Sequence, residues 1–192
     1  MSVTKSFQMI DNYIYLYHVD TFIVIPSFPD KISDSLNVTF NSSTPLSRSA
    51  PIYSYAGSGP RSLQINLHLH RDMMTQINYG VSNARIPIGD DYVDTLIRYI
   101  QAIALPAYGT SDKMVNPPLI AVRFGNDIFI KGVVRGGVTV TYETPILVGE
   151  KYAQVDIAFN VEEVDPFDAQ GVMNSGSFRG IDTTLERNFW KS

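Results

Sequence analysis

Hydrophobic and polar residues alternate along two long segments of the chain. In residues 62–70 the apolar positions are Leu63, Ile65, Leu67 and Leu69. Residues 152–164 repeat the pattern, and their apolar positions are Ala153, Val155, Ile157, Phe159 and Val161. Because successive side chains of a strand point to opposite faces, a period of two predicts a strand with one buried face. Both segments are therefore predicted to be strands that bury one face and leave the other polar.

Shorter segments rich in aromatic and β-branched residues predict further strands. They are residues 13–19, 21–26, 35–40, 119–124, 128–134 and 138–143. Gly125-Asn126-Asp127 predicts a hairpin turn, and Pro145 to Lys151 predicts another turn. Gly136-Gly137 is expected to interrupt the strand material between them.

One helix is predicted over residues 90–105. Apolar residues recur there at helical spacing, from Tyr92 to Ile103, and Pro106 ends the run. Asp90 or Asp91 is expected to cap its first turn. The sequence thus predicts a mainly β (α+β) domain over residues 1–166, with this single helix against the sheet.

Two segments have a different composition. Residues 41–60 are rich in Ser, Pro, Tyr and Gly, which predicts a long interaction loop. Residues 167–192 are polar except for an apolar end at Phe189-Trp190. They are interpreted either as a disordered tail or as a C-terminal arm that docks on a neighbouring subunit through Trp190.

Charge and cysteine content exclude several function classes. The chain has 192 residues, a formal net charge of −4 and no dense run of Lys or Arg, so binding to a phosphate backbone is not expected. It has no cysteine, which rules out disulfides and thiolate chemistry and fits a reducing cytosol. No signal peptide and no membrane span are predicted from the hydrophobic pattern.

The best candidate for metal or catalytic chemistry is the pair His68 and His70, which share one face of a predicted strand. A metal site needs at least three ligands, and the only other histidine is His18. The pair is therefore interpreted as part of a polar surface. The glycines at 57–59 and 132–137 do not lie between a strand and a helix start, so they predict turns and bulges and not phosphate loops. We expect no enzyme, no cofactor and no metal.

One segment has a more specific order of features. Arg48-Ser49-Ala50-Pro51 is followed by Tyr53 and Tyr55, a Gly-Ser-Gly-Pro-Arg turn ending at Arg61, and the alternating strand. This order resembles the tube-like proteins of contractile phage tails and related injection systems, above all their tube-initiator and baseplate-adaptor members. The resemblance covers residues 20–166, and no single motif in it is diagnostic.

The resemblance implies a split β-barrel, in which two packed antiparallel sheets carry one flanking helix, and a hexameric ring around a lumen. It implies a hub-to-tube adaptor or tube initiator of the virion, assembled in the host cytoplasm. Its expected partners are the tail tube protein, the baseplate hub protein, the tape measure protein and baseplate wedge proteins. DNA would pass through the lumen without specific binding. Some relatives carry a C-terminal LysM module, which is not expected in residues 167–192.

Within this resemblance, Arg48, Tyr53, Tyr55 and Arg61 are expected to contact neighbouring subunits. The alternative is that their loop packs on its own barrel. Two other functions stay open: the major tail tube subunit, and a metal- or carbohydrate-binding β module that uses His68 and His70 beside the tyrosines.

Overall fold

The backbone forms a single antiparallel sheet with short helices. The computed structural model describes residues 12–25, 29–74, 91–106, 118–125, 127–147, 149–165 and 168–174. The strands are β1 (Asn12–Leu16), β2 (Thr21–Val24), β3 (Lys31–Ser43), β4 (Ile52–His70), β5 (Ile120–Phe124), β6 (Ile128–Leu147) and β7 (Lys151–Glu163). The helices are α1 (Arg71–Met74), α2 (Tyr92–Ala102) and α3 (Ala169–Asn174). The strand order across the sheet is β2-β1-β5-β6-β7-β4-β3.

The two alternating segments pair with each other in the interior of the sheet. Residues 62–70 of β4 pair with residues 154–162 of β7. Their predicted inner residues are buried, and they belong to one core with apolar side chains of β1, β2, β5 and β6. The predicted strands and their buried faces are confirmed here.

Helix α2 covers the apolar face of the sheet. The Asp91 side chain accepts a hydrogen bond of 3.0 Å from the backbone N–H of Val93, which caps the helix start. Leu96, Ile97 and Ile100 are buried in the common core. The predicted helix is confirmed, and Asp91 is its cap; Asp90 lies outside the described residues. The short helices α1 and α3 have no counterpart in the sequence prediction.

The prediction of a long loop over residues 41–60 is wrong. β3 extends to Ser43 and β4 begins at Ile52. The two strands stay paired from Leu36 and Arg61 to Ser43 and Ile52. Only residues 44–51 connect them. Two register irregularities in the ladder accommodate the Gly- and Pro-containing segment of β4. The turn-like composition therefore belongs to a bulged hairpin, because bulges tolerate residues that regular strands exclude.

Strand β6 changes partners at Gly132. Residues 128–132 pair with β5, and residues 132–147 pair with β7. A bulge between Arg135 and Val138 contains Gly136 and Gly137, with φ values of 78° and 87°. The strand continues through this bulge and past Pro145, so the predicted interruption and the early start of the next turn are wrong. The partner change divides the sheet into a β2-β1-β5-β6 leaf and a β6-β7-β4-β3 leaf.

The predicted mainly β class is confirmed by this topology. The sheet is not closed, because β2 and β3 form its two ends in the strand order. The two-sheet split barrel therefore stays a prediction. No helix in the described part of the chain is long and apolar enough to span a bilayer. In the predicted C-terminal arm, α3 is described, whereas Trp190 lies outside the described residues.

Candidate assembly surfaces

A projecting hairpin extends beyond the end of the sheet. It consists of residues 36–60, the part of β3 and β4 that continues past the pairing with β7 at Ser62. All its side chains are exposed or half-buried. Among the described residues, no other element buries the hairpin.

One face of the projecting hairpin is apolar. Cross-strand partners share a face, and the register continues the face that carries Ile32 and Ile65 in the core. The large apolar residues on this face are Leu36, Val38, Phe40, Tyr53 and Tyr55. Each of them is 47–65% exposed. The rings of Phe40 and Tyr55 meet edge to face at 5.7 Å. The apolar face of the core therefore continues onto the projecting hairpin. Nothing in the described part of the subunit packs on this part of the face.

Arg61 fixes the base of this hairpin. Its guanidinium donates to both carboxylate oxygens of Asp34, at 2.7–3.0 Å, and to the backbone carbonyl of Phe129 at 3.2 Å. Glu163 lies 3.9 Å away, at the end of β7. β7 lies between β4 and β6 and ends at Glu163. Beyond that point the Arg61 side chain reaches from β4 to the Phe129 carbonyl of β6. Although burial opposes charge, the Asp34 hydrogen bond is the largest influence and raises the pKa of Arg61.

Arg61 is therefore placed inside the subunit, with only 8% of its surface exposed. The role of Arg61 as an intersubunit contact stays a prediction; within the subunit its side chain binds Asp34 and the Phe129 carbonyl at the base of the projecting hairpin. Arg48, Tyr53 and Tyr55 do lie on exposed parts of that hairpin. The structure thus brings three of the predicted contact residues to one surface and separates the fourth from it.

The β6-β7-β4-β3 leaf has two long free edges. Among the described residues, β3, with 13 residues, pairs with β4 and with no second strand. On the opposite side, residues 133–147 of β6 pair with β7 and with no second strand among the described residues. Residues 138–143 of that edge contain neither a proline nor a bulge. Long regular edges of this kind are sites for pairing with another strand.

The outward face of the same leaf is polar. A shallow groove runs over it, lined mainly by Ser33, Ser35, Ser62, Gln64, Thr139 and Asn160. Arg135 at its rim is paired with Glu162, so the positive charge is neutralised. The surface consists largely of uncharged hydrogen-bonding groups, which suits contact with water more than tight binding of an ion.

The opposite end of the leaf carries a second apolar surface. The turn patch consists of Tyr142, Ile146 and Tyr152, which are 39–60% exposed, and the two tyrosine rings lie 5.8 Å apart. Beside it, Lys151 donates to Asp91 at 3.0 Å and to Asp94 at 2.7 Å, and thereby ties β7 to the start of α2.

Arg71 strengthens the same connection. Its guanidinium binds both Asp91 and Asp94 and donates to the carbonyl of Tyr152 at 2.8 Å. Burial works against the Asp94 carboxylate, but the hydrogen bonds from Arg71 and Lys151 hold its pKa below the ordinary value. The turn patch therefore lies beside a network of ion pairs that connects β7 to the start of α2.

His68 has carboxylate partners that the sequence did not indicate. It lies directly across the strand pair from Asp156, and its Nδ1 is 2.6 Å from an Asp156 carboxylate oxygen. Its Nε2 lies 3.8 Å from Asp30. The Asp156 hydrogen bond is the main cause of the raised pKa of His68. The contact exists because the pairing of β4 with β7 places His68 opposite Asp156. The alternation of residues within one strand does not show which residues of another strand lie opposite.

The metal-binding alternative gains no support from these contacts. Among the described residues, no three His, Asp or Glu side chains are arranged to hold a metal ion. Asp156 contacts His68 directly through a hydrogen bond, and the two groups form a pair on the polar face.

Comparison with known proteins does not assign the chain to a family. No protein-family model matches its sequence, and no curated protein matches it either. The functional conclusion therefore depends on the geometry of the surfaces described above and on the resemblance in residues 20–166.

Proposed function

We propose that the chain is a non-enzymatic structural subunit of a contractile phage-type tail, which assembles as a hexameric ring around the tail lumen. The observation that carries the proposal is the pair of long free edges, on β3 and on residues 133–147 of β6. They lie on opposite sides of one four-stranded leaf. Each leaves backbone N–H and C=O groups that another strand can pair.

The strand directions support head-to-tail closure. All pairs within the leaf are antiparallel, so β3 and β6 run in opposite directions. β3 of one subunit placed beside β6 of the next continues the antiparallel alternation. A head-to-tail contact of this kind generates a closed ring when its rotation divides the full turn. The number six comes from the resemblance.

The faces of the leaf support a lumen on its polar side. The groove is lined largely by uncharged hydrogen-bonding side chains, which is compatible with a water-filled channel that DNA passes without specific binding. The other face is covered by the core and α2. The two leaves that separate at Gly132 support the split-barrel form that the resemblance implies.

Within this class we propose a baseplate hub-to-tube adaptor or tube initiator of the virion. Its neighbours would be the tail tube protein and the baseplate hub protein, with tape measure and wedge proteins nearby. The second candidate is the major tail tube subunit. Exposed apolar side chains at both ends of the leaf favour it, since a subunit that stacks on its own copies needs a surface at each end.

The proposal is tested on the purified chain by native mass spectrometry and negative-stain electron microscopy. We expect a closed oligomer, with six subunits and a central opening. A chain that stays monomeric at every concentration up to its solubility limit contradicts the proposal. Single rings support the adaptor, whereas long tubes formed by the chain alone support the tube subunit.

A further inference from the structure

The two free edges of the β6-β7-β4-β3 leaf have regular segments of equal length. On β3 the ladder with β4 is regular over residues 31–36, up to its first register shift. On β6 the regular segment is residues 138–143, between the bulge that contains Gly136 and Gly137 and the irregularity beside Pro145. Two antiparallel segments of six residues match end to end in one way only. Residue 31 must then lie opposite residue 143.

The backbone of the leaf allows this pairing. Lys31, Asn66, Ala158 and Thr139 are successive cross-strand partners in one row across the leaf. Antiparallel partners alternate between pairs that exchange hydrogen bonds and pairs that do not, and each residue turns its N–H and C=O to one side only. Followed across the row, this rule gives Lys31 and Thr139 the same kind of backbone position at the two outer edges. A slip of one residue would therefore mismatch both the hydrogen bonds and the faces.

The two nearest registers that keep the faces matched are obstructed. A slip of two residues in one direction places Lys31 opposite Pro145, which has no N–H to donate. A slip of two residues in the other direction places Ser35 opposite Gly137, inside the bulge of β6. One register therefore uses both regular segments completely.

The charges of the two edges complement each other in this register. On the polar face, Lys31 lies opposite Glu143. Both side chains are exposed, and neither belongs to an ion pair within the described part of the subunit. They are the only charged residues among the polar-face positions of the two segments, which are Lys31, Ser33, Ser35, Thr139, Thr141 and Glu143. Cross-strand pairs of opposite charge, and of serine with threonine, stabilise a sheet.

The other face gains apolar contacts in the same register. Leu36 comes opposite Val138, and Ile32 comes opposite Tyr142. Leu36 and Tyr142 are 56% and 49% exposed in the subunit, so the contact would remove both from water. The charged pair lies at one end of the joined segments, and the Leu36–Val138 contact lies at the other.

From these observations we infer that neighbouring copies join in this single register, and that Lys31 of one copy pairs with Glu143 of the next and thereby selects it. The inference rests on the proposed function and names the residues by which one copy recognises the next. A ring closes only when every contact has the same geometry. A slipped contact would change the position of the next subunit, so the ion pair would act against open or irregular chains.

Cysteine cross-linking reads the register directly, because the chain contains no native cysteine. S33C and T141C subunits are mixed, assembled and oxidised, and the linked dimers are counted by mass spectrometry. The controls are S33C with T139C and S35C with T141C, which report the two slipped registers. All four positions are exposed, so the variants are expected to fold.

The geometry of the disulfide separates these pairs. Directly opposite residues have Cα atoms about 4.5–5.5 Å apart, within reach of a disulfide, whereas diagonal partners are about 7–8 Å apart. We expect about tenfold more S33C–T141C product than either control product. A control product that equals or exceeds it would show that the register is wrong.

Charge reversal tests the role of the ion pair. At low salt, K31E or E143K is expected to raise the protein concentration at half-assembly about fivefold, because each places two like charges opposite each other. The double variant K31E/E143K exchanges the charges and is expected to assemble like wild type. The matched control is E150K, since Glu150 is exposed in the turn after β6, outside the regular segment. Equal effects of E143K and E150K, or no recovery in the double variant, would contradict the selection of register by Lys31 and Glu143.

Failure of this inference is distinguishable from failure of the proposed function. Closed rings that give a slipped cross-link, or no cross-link between the two edges, overturn the inference and leave the ring standing. If no closed oligomer forms at any concentration, the proposed function fails. An S33C–T141C product from open chains of copies would support the register and contradict the ring.

Discussion

Gly132 approaches the backbone of Glu162 more closely than any other residue type would allow. A Cβ atom at position 132 would lie 2.1 Å from the Glu162 carbonyl oxygen. This is the point at which β6 leaves β5 and begins to pair with β7. Both ladders can meet there only because the side chain is absent.

The first prediction concerns this close approach of Gly132 and Glu162. Gly132→Ala forces two backbone segments apart, and we expect it to lower the free energy of unfolding by about 2–3 kcal/mol. Urea denaturation followed by circular dichroism measures the change. Gly59→Ala is the control, since its Cβ would meet its nearest neighbour at an ordinary 3.6 Å. Equal stability of the two variants would show that β6 and β7 do not approach as described.

The close approach at Gly132 could not be predicted from the sequence, whereas the alternating strands could. Alternation in residues 62–70 and 152–164 was enough to predict these two interior strands and their buried faces, because a period of two is the direct signature of a half-buried strand. A glycine run gives no comparable signal. Gly132, Gly136 and Gly137 look alike in sequence, yet one allows a backbone crossing and two form a bulge with positive φ.

The contact role of the candidate residues stays a prediction, but the structure shows which of them are exposed. Tyr53 and Tyr55 are predicted contact residues, and both are exposed on the projecting hairpin. Arg61 has the same sequence context, but it is buried against Asp34 and Phe129. The difference depends on pairing with β3 and on the gap beside β6, which are contacts between residues far apart in the chain. Local composition does not contain them.

The second prediction concerns Arg61. Arg61→Ala removes the two-pronged partner of Asp34 and the donor to the buried Phe129 carbonyl, so we expect a loss on the order of 2 kcal/mol in unfolding free energy. Arg61→Lys restores the charge but not the two-pronged contact, and its stability should be intermediate.

The control for this prediction is Arg135→Ala, which removes an exposed arginine from its pair with Glu162. It should leave the unfolding transition unchanged, because exposed ion pairs contribute little. Hydrogen exchange of the hairpin amides then separates positioning from general stability. Faster exchange confined to residues 36–60 in Arg61→Lys indicates a hairpin with a loosened base, and unchanged exchange there would argue against the positioning role.

The third prediction is a pH dependence from His68. The fold raises its pKa above the ordinary 6.5, chiefly through the Asp156 hydrogen bond, with smaller contributions from Asp30 and Glu143. The folded state therefore favours the protonated ring. The resulting stabilisation is fully present below pH 6.5 and is lost as the pH rises through the raised pKa. It should be roughly 0.5 kcal/mol or less, because the pair is exposed to solvent.

An NMR titration of the three histidines measures this effect. His68 is assigned by its absence in H68Q. Asp156→Asn should lower the pKa of His68 toward the ordinary value and should remove its share of the pH dependence of stability. A His68 titration that is identical in wild type and Asp156→Asn would mean that the 2.6 Å contact is not maintained in solution.

The fourth prediction concerns the free edges. In the isolated subunit, alternate amides of β3 and of residues 133–147 in β6 point away from the sheet and should exchange rapidly. Pairing between subunits protects these amides, so their exchange should slow by at least tenfold on assembly. Hydrogen exchange with mass spectrometry, compared above and below the assembly concentration, gives the measurement. Protection that appears on β2 instead would place the subunit contact on the other leaf.

The projecting hairpin has a further consequence for the unassembled protein in a cell. It combines an exposed apolar face with a strand edge that no other described strand pairs, and these two features make a folded chain prone to aggregate. A newly made subunit is thus at greatest risk while it is alone. Its solubility should fall as its partners become limiting, and its survival depends on how soon it is incorporated. The surface that would form contacts in the finished assembly therefore also limits how long the free subunit stays soluble.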